Sequence, residues 1–124
     1  MIRKEITMEK KEFEYIEYYP IGSIILVKGN IRKLMIIARG AMAQLDGEMH
    51  FFDYAGVLYP DGLVSDKLIY FNHRDISKIV FEGFADEDEK MMKDNINSWF
   101  ESSTIKRGNP YDLNMKYMKQ SQNK

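Results

Sequence analysis

Residues 51–62 read FFDYAGVLYPDG, and how this stretch folds decides the architecture. It is too apolar for a loop and too rich in turn residues for a helix. Its first half extends as a strand, and Tyr59-Pro60-Asp61-Gly62 ends it with strong turn chemistry. Just upstream, Asp46-Gly47 is the best short-range hairpin signal in the chain. Met49–Tyr59 is therefore expected as a strand antiparallel to the one before it, Lys33–Met42. Gly56 inside it marks a bulge or bend, because a strand curling round a small core needs a residue without Cβ there.

Outward from this hairpin the β signals continue over residues 20–84. Pro20 opens a first strand, SIILVKG (Ser23–Gly29), apolar on both faces and closed by Gly29-Asn30. KLIYFN (Lys67–Asn72) reads as a short strand. NHRDI (Asn72–Ile76) reads as a capped single turn, with Asn72 accepting from the backbone and Asp75 three residues on. SKIVFEGF (Ser77–Phe84) is expected as a closing strand, with Ile79, Phe81 and Gly83 alternating against Val80, Glu82 and Phe84. The second and third strands are apolar on both sides over part of their length, which requires something packed over the outer face.

That cover is expected from DEDEKMMKDNINSWFESS (Asp86–Ser103), the clearest helix pattern present. Asp86 and Glu89 resemble a capping box, and the acidic first turn suits the helix dipole. Met92, Ile96, Trp99 and Ser103 fall on one stripe, with Phe100 beside it. Burying Trp99 or Phe100 against the sheet would stabilise by about 2–3 kcal/mol each. The expected fold class is α+β: a small, strongly curved antiparallel sheet of about four or five strands, a partial barrel, packed by a C-terminal amphipathic helix. Residues 1–103 form one domain: 1–19 as a lead-in, 20–84 as the sheet, 86–103 as the helix. Residues 104–124 are a tail, read as a short helix or a partner-binding segment.

Composition bounds the function. At 124 residues, 44% apolar and 30% charged with net charge −1, the chain is an ordinary soluble domain with one core. Nucleic acid usually demands a clustered basic face, and a nearly balanced charge does not suggest one, although it leaves room for a local patch. No cysteine occurs, which removes disulfides and cysteine-based metal or redox chemistry. The first twenty residues hold no secretory signal, and apolar runs such as IILV and LMIIA fall far short of the ~20 residues that span a bilayer. The expected location is the cytoplasm.

Catalytic candidates are few. His73 has Arg74 and Asp75 as neighbours, but sequence adjacency points side chains apart, and a base needs a nucleophile or substrate within reach. His73 is read as ordering its turn. The acidic run Asp86–Glu89 lacks the alternating ligands of a calcium loop. No G-x-S-x-G, H-E-x-x-H, P-loop or G-x-G-x-x-G is present. Neither an enzyme nor a cofactor is expected.

Binding candidates are aromatic and methionine-rich. Phe13, Tyr15, Tyr18 and Tyr19 lie among glutamates and lysines, either docked on the core or offered to a partner, since tyrosine supplies large contact area at low entropic cost. Tyr59 and Trp99 join them. So do Tyr111, Met115 and Met118, at helical spacing in a basic tail that can dock on its own domain or on another protein.

The stretches YPIGSIILVKG, IRKLMIIARG, FDYAGVLYPDG and YFNHRDISKIVFEGF, followed by an acidic helix, arrive in the order and spacing of a known family. Over roughly residues 19–100 the chain resembles a small Gram-positive bacterial family of unknown function, encoded in type VII secretion gene clusters near toxins with an N-terminal LXG domain. Its signature positions are matched here by Pro20, Gly22, Gly56, Tyr59, Pro60, Gly62, Phe71, Asn72, His73, Asp75, Phe81 and Gly83. The resemblance implies a cytosolic chaperone or targeting factor that holds an LXG toxin before export, alongside small helical partner proteins, with no catalytic motif to carry over. On this expectation the domain grips another polypeptide, by pairing along an edge strand or through an aromatic groove between sheet and helix. The competing expectations are an immunity protein that occludes a toxin's active site, and a small ligand-binding barrel using His73, Asp75 and the tyrosines near Pro60. A homodimer through an edge strand also fits.

Overall fold

The computed structural model describes residues 13–113 of the chain. In it β1 is Ile24–Val27, β2 is Leu34–Leu45, β3 is Glu48–Leu58, β4 is Ile69–Phe71 and β5 is Ile76–Phe81. Helix α1 is Glu87–Ser102, and β6 is Lys106–Arg107. A single 3-10 turn, His73–Asp75, links β4 to β5. The fold is α+β: an antiparallel sheet in the order β4-β3-β2-β1-β5, with a C-terminal helix packed on it. The sheet is open and ends in β4 and β5 rather than closing on itself. Two-residue β6, from the segment read as a tail, pairs in parallel with β3 at His50 and Phe51.

The β2–β3 hairpin is the frame. Asp46 and Gly47 take φ of 56° and 82°, the left-handed pair that matches the right-handed twist of the flanking strands. Their turn sets Leu45 opposite Glu48 and, further along, Met42 opposite Phe51. The expected irregularity is present, with the extra residue on the partner strand: the register slips between Ile36 and Ala38, opposite Gly56 and Ala55. Gly56 permits this close approach, since a Cβ there would lie 2.7 Å from the Met35 carbonyl oxygen.

Residues 51–57 are buried on both faces of β3. The main core gathers Tyr18, Ile25, Leu34, Ile36, Tyr54 and Phe71. A second cluster packs Phe52 against Ala43, Leu45 and Leu113. On the Phe51 side the cover is α1, with the Phe51 and Phe100 rings stacked 4.2 Å apart. Such a pair adds about 0.5–1.5 kcal/mol beyond the area it buries.

The helix is turned relative to the expected stripe. Asn97 and Phe100 are buried, whereas Met92 and Trp99 remain 49% and 45% exposed. Inward Phe100 and Ile96 are apolar, but Asn97 is polar because it meets the backbone of Ile16. Asn97 accepts from the Ile16 N–H at 2.7 Å and donates to the Ile16 carbonyl at 3.0 Å. Glu89 forms a bidentate pair with Arg39 of β2 at 2.6 and 2.8 Å. Asp86 caps the helix, its side chain accepting from the Glu89 N–H.

The closing strand also differs. β5 stops at Phe81, and its register against β1 slips twice, so strict alternation fails and both Val80 and Phe81 face outward. Pro20 is buried ahead of a tight turn rather than opening the strand directly; Gly22 takes φ of 92° and β1 begins at Ile24.

Candidate protein-docking site

Two features compete for the functional reading: a buried polar network under the sheet, and an apolar hollow between sheet and helix. The network centres on Asp53, whose side chain lies in the interior of β3. Its Oδ1 accepts from the Arg107 guanidinium at 3.0 and 3.1 Å and from the Tyr18 hydroxyl at 3.4 Å. Its Oδ2 accepts from the His73 backbone N–H at 2.9 Å. Asn72 bridges the same elements, its oxygen accepting from the Asp53 N–H and its nitrogen donating to the Gly108 carbonyl. Asp75 accepts from the Asn72 N–H at 2.8 Å, which fixes the 3-10 turn.

The imidazole of His73 belongs to the same scaffold. The Tyr54 hydroxyl accepts from the Tyr19 N–H at 2.9 Å and lies 2.7 Å from His73 Nδ1, to which its own proton is free to donate. That arrangement calls for neutral imidazole with its proton on Nε2. Burial pushes the His73 pKa below its ordinary value, opposed by the charges of Asp53, Glu14 and Glu17. Burial likewise holds Tyr54 and Tyr18 well above the usual phenol range, so both remain donors. Among the described residues no buried side-chain nitrogen or oxygen lacks a partner. Each polar group found in this network is engaged in joining β3, β6, the 3-10 turn and the segment 13–19.

The hollow differs in character. It has a volume of about 210 Å³ and is lined by Arg39, Gly40, Phe51, Asn95, Ile96 and Trp99. Gly40, at φ of 63°, leaves room for Ile96: a Cβ there would stand 3.2 Å from its methyl. Arg39 adds no free charge, because Glu89 neutralises it. Met42 pairs across from Phe51, and Met49 precedes Phe51 by two residues, so both project on the side of the hairpin that carries the hollow. They are 40% and 45% exposed. Met92 lies one turn before Ile96 on α1. The result is a concave apolar strip with a half-exposed tryptophan at its rim and methionines around it, the composition of adaptable protein-binding surfaces.

The aromatic candidates divide accordingly. Trp99 is on the hollow. Tyr18 is inside the core, and Tyr19 stacks on His73 with ring centroids 5.3 Å apart. Tyr15 is exposed, and its hydroxyl donates to Asp94, which pushes the phenol up to about 12. Phe13 is half-buried; Tyr59 is exposed beneath Lys33, beside the cis Tyr59–Pro60 bond; Tyr111 is exposed. Met115 and Met118 lie outside the described residues.

Sequence reasoning passed over Phe51, Met42 and Met49 as a surface, although the Asp46-Gly47 turn fixes their common face. It also passed over Asp53, a carboxylate inside an apolar run. Asn97 and Arg107 carried no such signal.

Fold and site define a class: an α+β domain whose interior polar groups tether its own segments and whose exposed apolar side chains border a groove. The chain belongs to the family described as a domain of unknown function, DUF4176, which matches residues 18–92. No curated protein and no solved structure matches it. Among the described residues no helix is long and apolar enough to cross a membrane.

Proposed function

We propose that this chain is a non-catalytic protein-binding domain whose client docks in the hollow between α1 and the β2–β3 hairpin. The observation that carries the reading is a half-exposed Trp99 lining an apolar concavity with Phe51 and Ile96, towards which strand alternation and helix spacing direct the partly exposed Met42, Met49 and Met92. Of the two gripping modes, the groove is favoured over pairing with β5 at the end of the sheet. β5, which ends the sheet, is short and its register slips twice, and bulged edges template a foreign strand poorly.

The client is an LXG-type toxin, held in the cytosol and delivered to the type VII secretion system. Support for this part comes from the resemblance over the strand and turn motifs, and from a surface suited to shielding an apolar segment. The match to the family stops at Met92, so one wall of the hollow lies within the shared region and Trp99 lies beyond it.

The test is titration of the purified chain with the toxin's LXG domain. Binding should be lost or weakened at least tenfold, about 1.4 kcal/mol, in Trp99→Ala and Met42→Ser chains that stay folded. Deleting the gene should lower toxin abundance or export. Wild-type affinity in both variants would remove the hollow from the account, and unchanged toxin export would remove the chaperone role. Protection of a cell poisoned by the toxin domain alone would instead identify an immunity protein.

A further inference from the structure

The outward side chains at the end of β5 belong to an apolar patch on the far side of the sheet from α1. Ile25 pairs with Ile79, and both pack in the main core together with Ile96 of α1. Ile24 alternates with Ile25, so it projects from the opposite side. The register slip between Ile24 and Ile25 sets Phe81 across from Ile24 and turns its ring to that side as well. Beyond Phe81 the chain closes onto the lead-in to β1. The Gly83 N–H donates to the Ser23 hydroxyl at 2.9 Å, and a Cβ on Gly83 would lie 2.5 Å from the Ile21 carbonyl oxygen. That close approach brings Ile21 and Phe84 to the same corner as Phe81. They are 53%, 82% and 59% exposed, and such a gathering of large apolar side chains in water marks an interaction surface.

The charges around the patch are ordered. Lys78 pairs with Leu26, two residues along from Ile24, and therefore shares its face. Lys28 and Arg74 stand at the same end, where the Lys28 N–H meets the Asp75 carbonyl. Glu82, Glu87 and Asp88 follow Phe81 at the other end. All six are exposed, and none is in an ion pair among the described residues. A face that is basic at one end, apolar in the middle and acidic at the other is complementary to its own reverse.

We propose that a second copy of this chain packs on this face, the two sheets stacked about a twofold axis that crosses the strands near Val80 and Phe81. Such an axis reverses the strands, so Lys78 of each copy meets Glu82 of the other, with the phenylalanines between them. An axis along the strands would instead set like charges together. The contact uses the same patch twice and closes as a dimer. Stacking face to face needs no continuous ladder, so the slips that spoil β5 as a pairing edge do not obstruct it. The dimer is independent of the function proposed above, because the hollow lies on the α1 side and remains open to a client.

The experiment is sedimentation velocity of the full chain, without client, over rising concentration. Wild type should show a monomer–dimer equilibrium that weakens with added salt. Phe81→Ser/Phe84→Ser removes mostly exposed side chains, so it should keep its circular dichroism and weaken dimerisation at least tenfold. Lys78→Glu and Glu82→Lys should each weaken it, and the chain carrying both reversals should recover it, since every swapped pair again joins opposite charges. A wild type that stays monomeric up to about 1 mM, or a dimer equally strong in Phe81→Ser/Phe84→Ser, would overturn the proposal. Failure of the double reversal to recover dimerisation would overturn the reversed stacking. None of these outcomes bears on the client reading, which stands or falls on the hollow variants.

Discussion

Asn97 occupies a place where an amphipathic helix ordinarily carries leucine, and it does what leucine cannot: it pairs with both backbone groups of Ile16 and with the Lys93 carbonyl. Hydropathy patterns count asparagine as surface, so the sequence reading placed the buried stripe on Met92, Ile96, Trp99 and Ser103 with Phe100 beside it. The buried face runs instead through Ile96, Asn97 and Phe100 and leaves Met92 and Trp99 half-exposed. Asn97→Leu removes the partner of the part-buried Ile16 N–H and carbonyl, at about 1–3 kcal/mol for a lost partner. We expect a loss of about 2–3 kcal/mol in urea unfolding with unchanged m-value; an equally stable variant would show that the tether is dispensable. His73 makes a second prediction at this scale. Its folded pKa is depressed, so between that pKa and the unfolded value near 6.5 the unfolded chain binds more protons, and stability rises with pH. The contribution is complete above about pH 6.5 and is lost as pH falls towards the folded pKa. Wild type should therefore lose melting temperature from pH 7.5 to pH 5.5 more steeply than His73→Gln, and parallel profiles would contradict the Tyr19–Tyr54–His73 arrangement.

Among elements, the Arg39–Glu89 pair sets how α1 sits on β2, and both side chains are largely buried. Removing one partner of such a pair leaves an uncompensated charge, at about 3–5 kcal/mol, whereas replacing both by apolar groups is often neutral. Arg39→Met should thus be severely destabilising and Arg39→Met/Glu89→Leu much less so, a non-additivity readable from a double-mutant cycle. Gly108 supports a further test. A Cβ there would lie 2.4 Å from the Phe52 ring, so Gly108→Ala must push β6 off β3 and should lower stability by about 1–3 kcal/mol. Elements fixed by local chemistry were legible beforehand: the Asp46-Gly47 hairpin and the Asp86 cap need only their own residues, and the Asn72–Asp75 turn keeps one local side-chain bond, from the Asn72 N–H to Asp75, while the Asn72 side chain reaches Asp53 and Gly108 instead. β6 was not, because two residues lent a strand by the neighbouring edge of β3 leave no periodic trace. The double slip of β5 was equally hidden, since bulges answer to the partner strand.

At the scale of the molecule, β3 is apolar throughout because it is covered twice, by α1 over Phe51 and by Leu113 over Phe52. That requirement for an outer cover was readable from the sequence. The side left uncovered was not, because it depends on the rotation of α1 that Asn97 and Glu89 impose. Turning those polar groups inward puts Met92 and Trp99 outward, and the hollow beside Gly40 follows from the same rotation. The central claim is that this hollow receives another polypeptide. The most direct measurement is the Trp99 emission of the purified chain during titration with the LXG domain of the proposed toxin client, in wild type and Met42→Ser. The account predicts a saturable change in Trp99 emission whose midpoint moves at least tenfold, about 1.4 kcal/mol, in the variant. Saturable binding that leaves the Trp99 signal unmoved, with equal affinity in both chains, would contradict it.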